Sequence, residues 1–112
     1  MANSYYFGLF AEYIIILLYR LKLYTILHHR KKTYVGEIDI IALKKDCLVF
    51  IEVKARKGGL SEDIVSQKQQ LRLRNAALLF LGKNPKYSGY NIRFDLAVIS
   101  PYKLPLIIRN AW

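Results

Sequence analysis

Two apolar runs, Glu37–Leu43 (EIDIIAL) and Leu48–Ala55 (LVFIEVKA), each enclose an acidic residue and stand on either side of the short polar connector Lys44-Lys45-Asp46. A link of that length and polarity suits a hairpin between antiparallel neighbours, so the centre of the chain is expected to be a pair of adjacent strands. Strand alternation puts Glu52 and Lys54 on one face, roughly 6.5–7 Å apart along the strand. Asp39 lies between Ile38 and Ile40, and pairing of the hairpin can bring it close to them. Acids inside apolar strands are costly unless a partner offsets their lost hydration. Two carboxylates and an amine are therefore expected to converge on one point.

Around this hairpin the remaining elements follow from periodicity. Ser4–Leu21 reads as a helix with Ser4 as N-cap and Phe7, Ala11, Ile14, Ile15 and Leu18 at helical spacing. Tyr24–His28 reads as a short strand leading into a basic loop, His28-His29-Arg30-Lys31-Lys32. After a Gly58-Gly59 break, a second helix is predicted from near Ser61 to Leu81, with Val65, Leu73, Ala76, Ala77 and Phe80 on its apolar face and Asn84-Pro85 ending it. Ile92–Ile99 and Leu106–Ile108 are the last strands. The predicted order is α-β-β-β-α-β-β, an α/β fold with a small mixed β-sheet flanked by helices.

The 112 residues fit one domain, 1–112, and a hydrophobic content of 54% permits a core. A net charge of +10 favours a polyanionic partner, nucleic acid before an acidic membrane surface. The apolar run Tyr13–Tyr19, bracketed by Glu12 and Arg20, falls far short of the roughly 20 residues that span a bilayer, so no integral membrane insertion is expected. A single cysteine, Cys47, excludes a disulfide framework and a thiolate zinc cluster and suits a reducing, cytoplasmic setting.

Two carboxylates beside a lysine suit a hard divalent cation, Mg²⁺ or Mn²⁺, which binds through one or two carboxylates and shares phosphate oxygens with a substrate. Such an ion lowers the pKa of a bound water, and an adjacent lysine can orient that water or stabilise charge on phosphorus. This chemistry is phosphodiester hydrolysis. The competing account is a buried ion pair in which Lys54 neutralises Glu52 and Asp39 caps a turn, although buried pairs add little net stability over apolar replacements.

The segments GEIDIIA and LVFIEVKAR resemble the bacterial family UPF0102, also called the YraN family, and the resemblance extends over nearly the whole chain. It includes Phe10-Ala11-Glu12 in the first helix, Tyr24-Thr25-Ile26-Leu27, Lys68, Arg93-Phe94-Asp95 and the closing Asn110-Ala111-Trp112. That family is similar to Holliday-junction resolvases and to the restriction-endonuclease-like PD-(D/E)XK group. The resemblance implies a restriction-endonuclease-like fold, Asp39 and Glu52 as metal ligands, Lys54 as catalytic lysine and Glu12 as an additional catalytic or metal-side acid. It also implies a metal-dependent endonuclease for structured or branched DNA, acting as a homodimer because resolvases cut paired strands symmetrically. A nucleic-acid-binding protein of the same fold without hydrolysis is the alternative. Two departures from the family pattern stand out: Leu23 replaces a Gly before the first strand, and His28 and His29 occupy the loop region where an Asn is usual.

Outside the acidic centre, Arg30, Lys31, Lys32, Gln67, Lys68 and Arg72 are the candidate nucleic-acid contacts, each neutralised phosphate releasing counterions. Arg93 and Asp95 alternate onto one strand face and are expected to form an internal ion pair. As strand neighbours, His28 and His29 point to opposite faces, so they are not expected to share one site.

Overall fold

The structure, a computed structural model, describes the backbone of residues 2–56 and 65–112, and within them the side chains from Tyr5 onward. Helix α1 (Ala2–Leu21) leads into strands β1 (Thr25–Thr33), β2 (Gly36–Lys44) and β3 (Cys47–Ala55). Helix α2 (Gln67–Lys83), a 3₁₀ turn at Pro85–Tyr87, and strands β4 (Asn91–Ile99) and β5 (Leu106–Ile108) follow, which is the order expected from the sequence. The sheet runs β1-β2-β3-β4-β5. Only β3 and β4 are parallel, because a chain passing through a helix between two strands returns in the same direction, whereas the short links make their neighbours antiparallel.

Alternation along the central strands feeds two cores. Ile40, Ala42, Val49, Ile51 and Ala97 meet Ala11, Ile15 and Tyr19 of α1. On the other face Ile38, Ile41, Leu48 and Phe50 meet Leu73, Ala76, Ala77 and Phe80 of α2. Ile38 and Ile41 share the α2 side although three residues apart, and the β1–β2 register itself shifts between Ile26 and His28.

Three sequence expectations are corrected. The basic run from His28 to Lys32 is strand rather than loop: β1 continues to Thr33 and pairs with β2 through His28↔Ile41, His29↔Ile40, Lys31↔Ile38 and Lys32↔Glu37. Its charge obscured a strand whose histidines are anchored on both faces, His28 on Phe80 and His29 on Tyr13. Ser4 is no N-cap, since α1 already begins at Ala2. Helix α2 starts at Gln67, after a Ser66 N-cap whose side chain accepts from the Gln69 N–H while the Gln69 side chain returns to the Ser66 N–H. Val65 therefore precedes the helix; the predicted start near Ser61 and the Gly58-Gly59 break lie outside the described residues.

Candidate active site

The β2–β3 ladder ends at Ile40↔Ile51. One step further in the same register, Asp39 and Glu52 stand across from each other where the strands part. Asp39 Oδ2 accepts from the Val53 N–H at 2.8 Å, taking a backbone donor that no strand partner uses there. Glu52, 5% exposed, follows Phe50 by two residues and shares its α2-side face. Its Oε2 lies 3.7 Å from Lys54 Nζ and 3.9 Å from Arg72 Nη2. Asp39, Glu52, Lys54 and Arg72 are thus gathered at the fork, the first three as alternation and hairpin pairing predict.

Arg72 reaches the fork across Gly36. A Cβ on Gly36 would stand 2.5 Å from Arg72 Nη1, and its φ of +143° is a conformation that side chains rarely adopt. The sequence suggested Arg72 only as a phosphate contact, and no spacing signal tied it to Glu52.

Burial, followed by a hydrogen bond to the Glu52 carboxyl and the repulsion of its charge, pushes the Asp39 carboxyl up to about 9, with the Val53 N–H pulling the other way. So raised, the Asp39 carboxyl keeps its proton well above the usual carboxylate range. Among the described residues no group of three or more His, Cys, Asp or Glu side chains converges, so the donor set at the fork is the carboxylate pair. A pair of oxygen ligands fits Mg²⁺ or Mn²⁺, which keep several waters and complete their shell with phosphate oxygens; zinc would need nitrogen or sulfur donors.

Glu12 stands apart from that set. On α1 it is buried, with Oε1 2.6 Å from His29 Nε2 and accepting from Arg30 Nε at 2.9 Å. The bond to Glu12 raises the Arg30 guanidinium further, and the Glu12 charge still reaches Asp39 as a minor contribution to its shift. A φ of +59° at Arg30 lets two consecutive residues of β1 turn toward α1. Both bases were overlooked as partners of Glu12; the available signal was an acid in an apolar helix, which needs a counter-charge. His28 points the other way, as expected, its pKa lowered by burial and then by Lys31.

The other candidates scatter. Gln67 and Lys68 are exposed on the first turn of α2. Lys31 and Lys32 border a cavity beside the end of α2. Arg93 and Asp95 form the expected ion pair at 2.8 Å. Asp95, fully buried beside Ile51, also accepts from Tyr19 Oη at 2.7 Å and the Asn110 N–H at 3.0 Å, while Arg93 Nη2 donates to Tyr24 Oη at 2.8 Å. Burial and then the bond to Asp95 raise the Tyr19 hydroxyl well above its ordinary value, so it serves as a fixed donor.

A five-stranded mixed sheet between two helices, in the order α-β-β-β-α-β-β, places the chain in the α/β class and is compatible with a restriction-endonuclease-like fold. Residues 11–99 match the family described as "Uncharacterised protein family UPF0102", and the chain belongs to that family. It is 38% identical over 110 residues to the UPF0102 protein of Parvibaculum lavamentivorans, covering 97% of this chain and 83% of that one. With the UPF0102 protein of Agrobacterium fabrum it shares 45% identity over 96 residues, 85% and 79% of the two chains. With that of Ehrlichia chaffeensis it shares 44% over 105 residues, 94% and 85%.

Proposed function

We propose that the protein is a metal-dependent endonuclease that hydrolyses phosphodiester bonds in structured or branched DNA. The observation that carries this reading is the fork itself: two carboxylates held against each other at the end of a strand ladder, with Lys54 and Arg72 within 4 Å of one of them. Asp39 and Glu52 hold the cation, Mg²⁺ or Mn²⁺. When bound, that ion supplies Lewis-acid polarisation of the phosphate and a lowered pKa for a coordinated water. The Val53 N–H fixes the orientation of Asp39. Lys54 holds the attacking water, whose oxygen bonds to phosphorus as the bond from phosphorus to the leaving sugar oxygen breaks. The water's proton passes to solvent and the leaving oxygen takes one up. Arg72, 3.9 Å from Glu52 Oε2, stabilises charge on the phosphate. Glu12 holds His29 and Arg30 in place and acts on the centre through charge. The protein works as a homodimer in the cytoplasm, with α1 at the contact between copies.

The test is a cleavage panel of junction, flap, duplex and single-stranded DNA with Mg²⁺ or Mn²⁺. Asp39→Asn and Lys54→Ala are each expected to lower the cleavage rate by about a hundredfold or more while binding persists. Metal-independent cleavage, or equal cleavage by wild type and Lys54→Ala, rejects the reading. No cleavage by wild type, with tight salt-sensitive binding, favours the non-catalytic alternative.

A further inference from the structure

Beyond the fork, the end of β1 and the last turn of α2 enclose a second concavity. Lys31, Lys32, Thr33 and Tyr34 form one wall and Phe80 and Lys83 the other, around a cavity of about 90 Å³. It adjoins a wider depression of about 260 Å³ lined by Lys32, Thr33, Tyr34 and Lys83. Among the described residues no carboxylate lies within ion-pair distance of any of these three lysines, and Glu37, opposite Lys32 in the β1–β2 register, does not bridge to it. Lys32 and Lys83 line both hollows, and an anion there relieves the repulsion between their charges.

Tyr34 adds a second kind of contact. Its side chain stands 90% exposed in the β1–β2 turn, and Lys83 Nζ lies 5.2 Å from the ring centroid. An aromatic ring held open to solvent beside lysines offers a stacking surface for a base, and the lysines offer contacts for the adjoining phosphate. Bases inside a duplex are already stacked on each other, so the surface suits an unpaired nucleotide.

A chain of contacts links this concavity to the fork. Thr33 Oγ1 donates to the Gly36 carbonyl at 2.6 Å, Gly36 lies beneath Arg72, and Arg72 Nη2 lies 3.9 Å from Glu52.

From this juxtaposition we infer that Tyr34, Lys31, Lys32 and Lys83 form a subsite for an unpaired nucleotide, the base stacking on Tyr34 and its phosphate among the lysines. The inference rests on the nuclease reading above and narrows its substrate to DNA with a single-stranded extension.

The test is fluorescence anisotropy in EDTA, without turnover, on a single strand, a blunt duplex and a duplex with a single-stranded tail. The tailed duplex is expected to bind more tightly than the blunt one. Tyr34→Ala is expected to weaken the single strand and the tailed duplex by about tenfold, leave the blunt duplex unchanged and leave the melting temperature in place, while Tyr34→Phe keeps wild-type binding. Lys83→Gln should reduce the slope of log K against log salt on the single strand by roughly 0.7. Equal effects of Tyr34→Ala on tailed and blunt duplexes, or none on either, overturn the subsite. Asp39→Asn assayed with Mg²⁺ keeps the two ideas apart. Loss of its cleavage with Tyr34-independent binding rejects the subsite alone; Tyr34-dependent binding without any wild-type cleavage rejects the nuclease reading alone.

Discussion

Leu23 closes α1 in a conformation suited to another residue. Its φ is +71°, and the bonds Leu23 N–H to Arg20 O (2.9 Å) and Tyr24 N–H to Tyr19 O (3.0 Å) are those of a helix end turned back by a left-handed residue. A side chain in that region costs roughly 1–2 kcal/mol, and glycine escapes most of it. The 79% exposed Leu23 side chain gives little burial in return. Leu23→Gly should therefore raise stability by about 1 kcal/mol, read as a higher urea midpoint with an unchanged slope. This helix end was partly legible: the family resemblance marked position 23 as a glycine site, and the backbone explains the preference. The Arg93–Asp95 pair was legible in full, because two residues of opposite charge at spacing 2 share a strand face. Its partners Tyr19 and Tyr24 were not, since a hydrogen bond between residues 76 apart in sequence, as from Tyr19 to Asp95, has no local signature.

Among the elements, α1 is the one left half covered. One face packs on the sheet, while Tyr6, Phe10, Tyr13, Leu17 and Leu21, spaced by three or four residues, are each more than half exposed. Between Tyr5 and Leu21 the only charges are Glu12, turned to β1, and Arg20. A narrow uncharged seam on a strongly basic protein is where two copies can meet without bringing their charge together. Paired across a two-fold axis, these side chains would bury on the order of 1,200 Å² in total, the lower end of stable interfaces. Antiparallel pairing also avoids setting Arg20 against Arg20. Phe10→Glu and Leu17→Glu should convert a dimer to a monomer in analytical ultracentrifugation at unchanged helix content; a wild-type monomer at every concentration rejects the proposed homodimer. The apolar pattern of α1 was legible, but which part of it stays exposed was not, because a helix apolar nearly all round does not reveal which side the sheet takes. The strand character of β1 was hidden for the opposite reason. Edge strands carry charge to block unwanted pairing, and that charge resembles a loop in the sequence.

At the scale of the whole molecule, the net charge of +10 coexists with two acids pressed together at the fork, and both bear on stability. The Asp39 carboxyl is raised from an ordinary 3.8 to about 9, so the folded state binds its proton more tightly than the unfolded state does. Its stabilising contribution is complete below the ordinary value and is lost progressively as pH rises toward about 9. In the proposed metal site a divalent ion would take the place of that proton; binding only the ionised, folded form, it would stabilise more as pH rises across the same window. Urea midpoints measured across this range in EDTA should fall more steeply for wild type than for Asp39→Asn, whose amide neither titrates nor repels Glu52. Millimolar Mg²⁺ should flatten the wild-type curve and leave that of Asp39→Asn nearly unchanged. The difference between the two proteins isolates Asp39 from every other titrating group, including His28, whose lowered pKa acts at the acid end. Parallel curves in EDTA would mean that folding does not raise the Asp39 carboxyl. A Mg²⁺ response equal in both proteins would place the ion elsewhere.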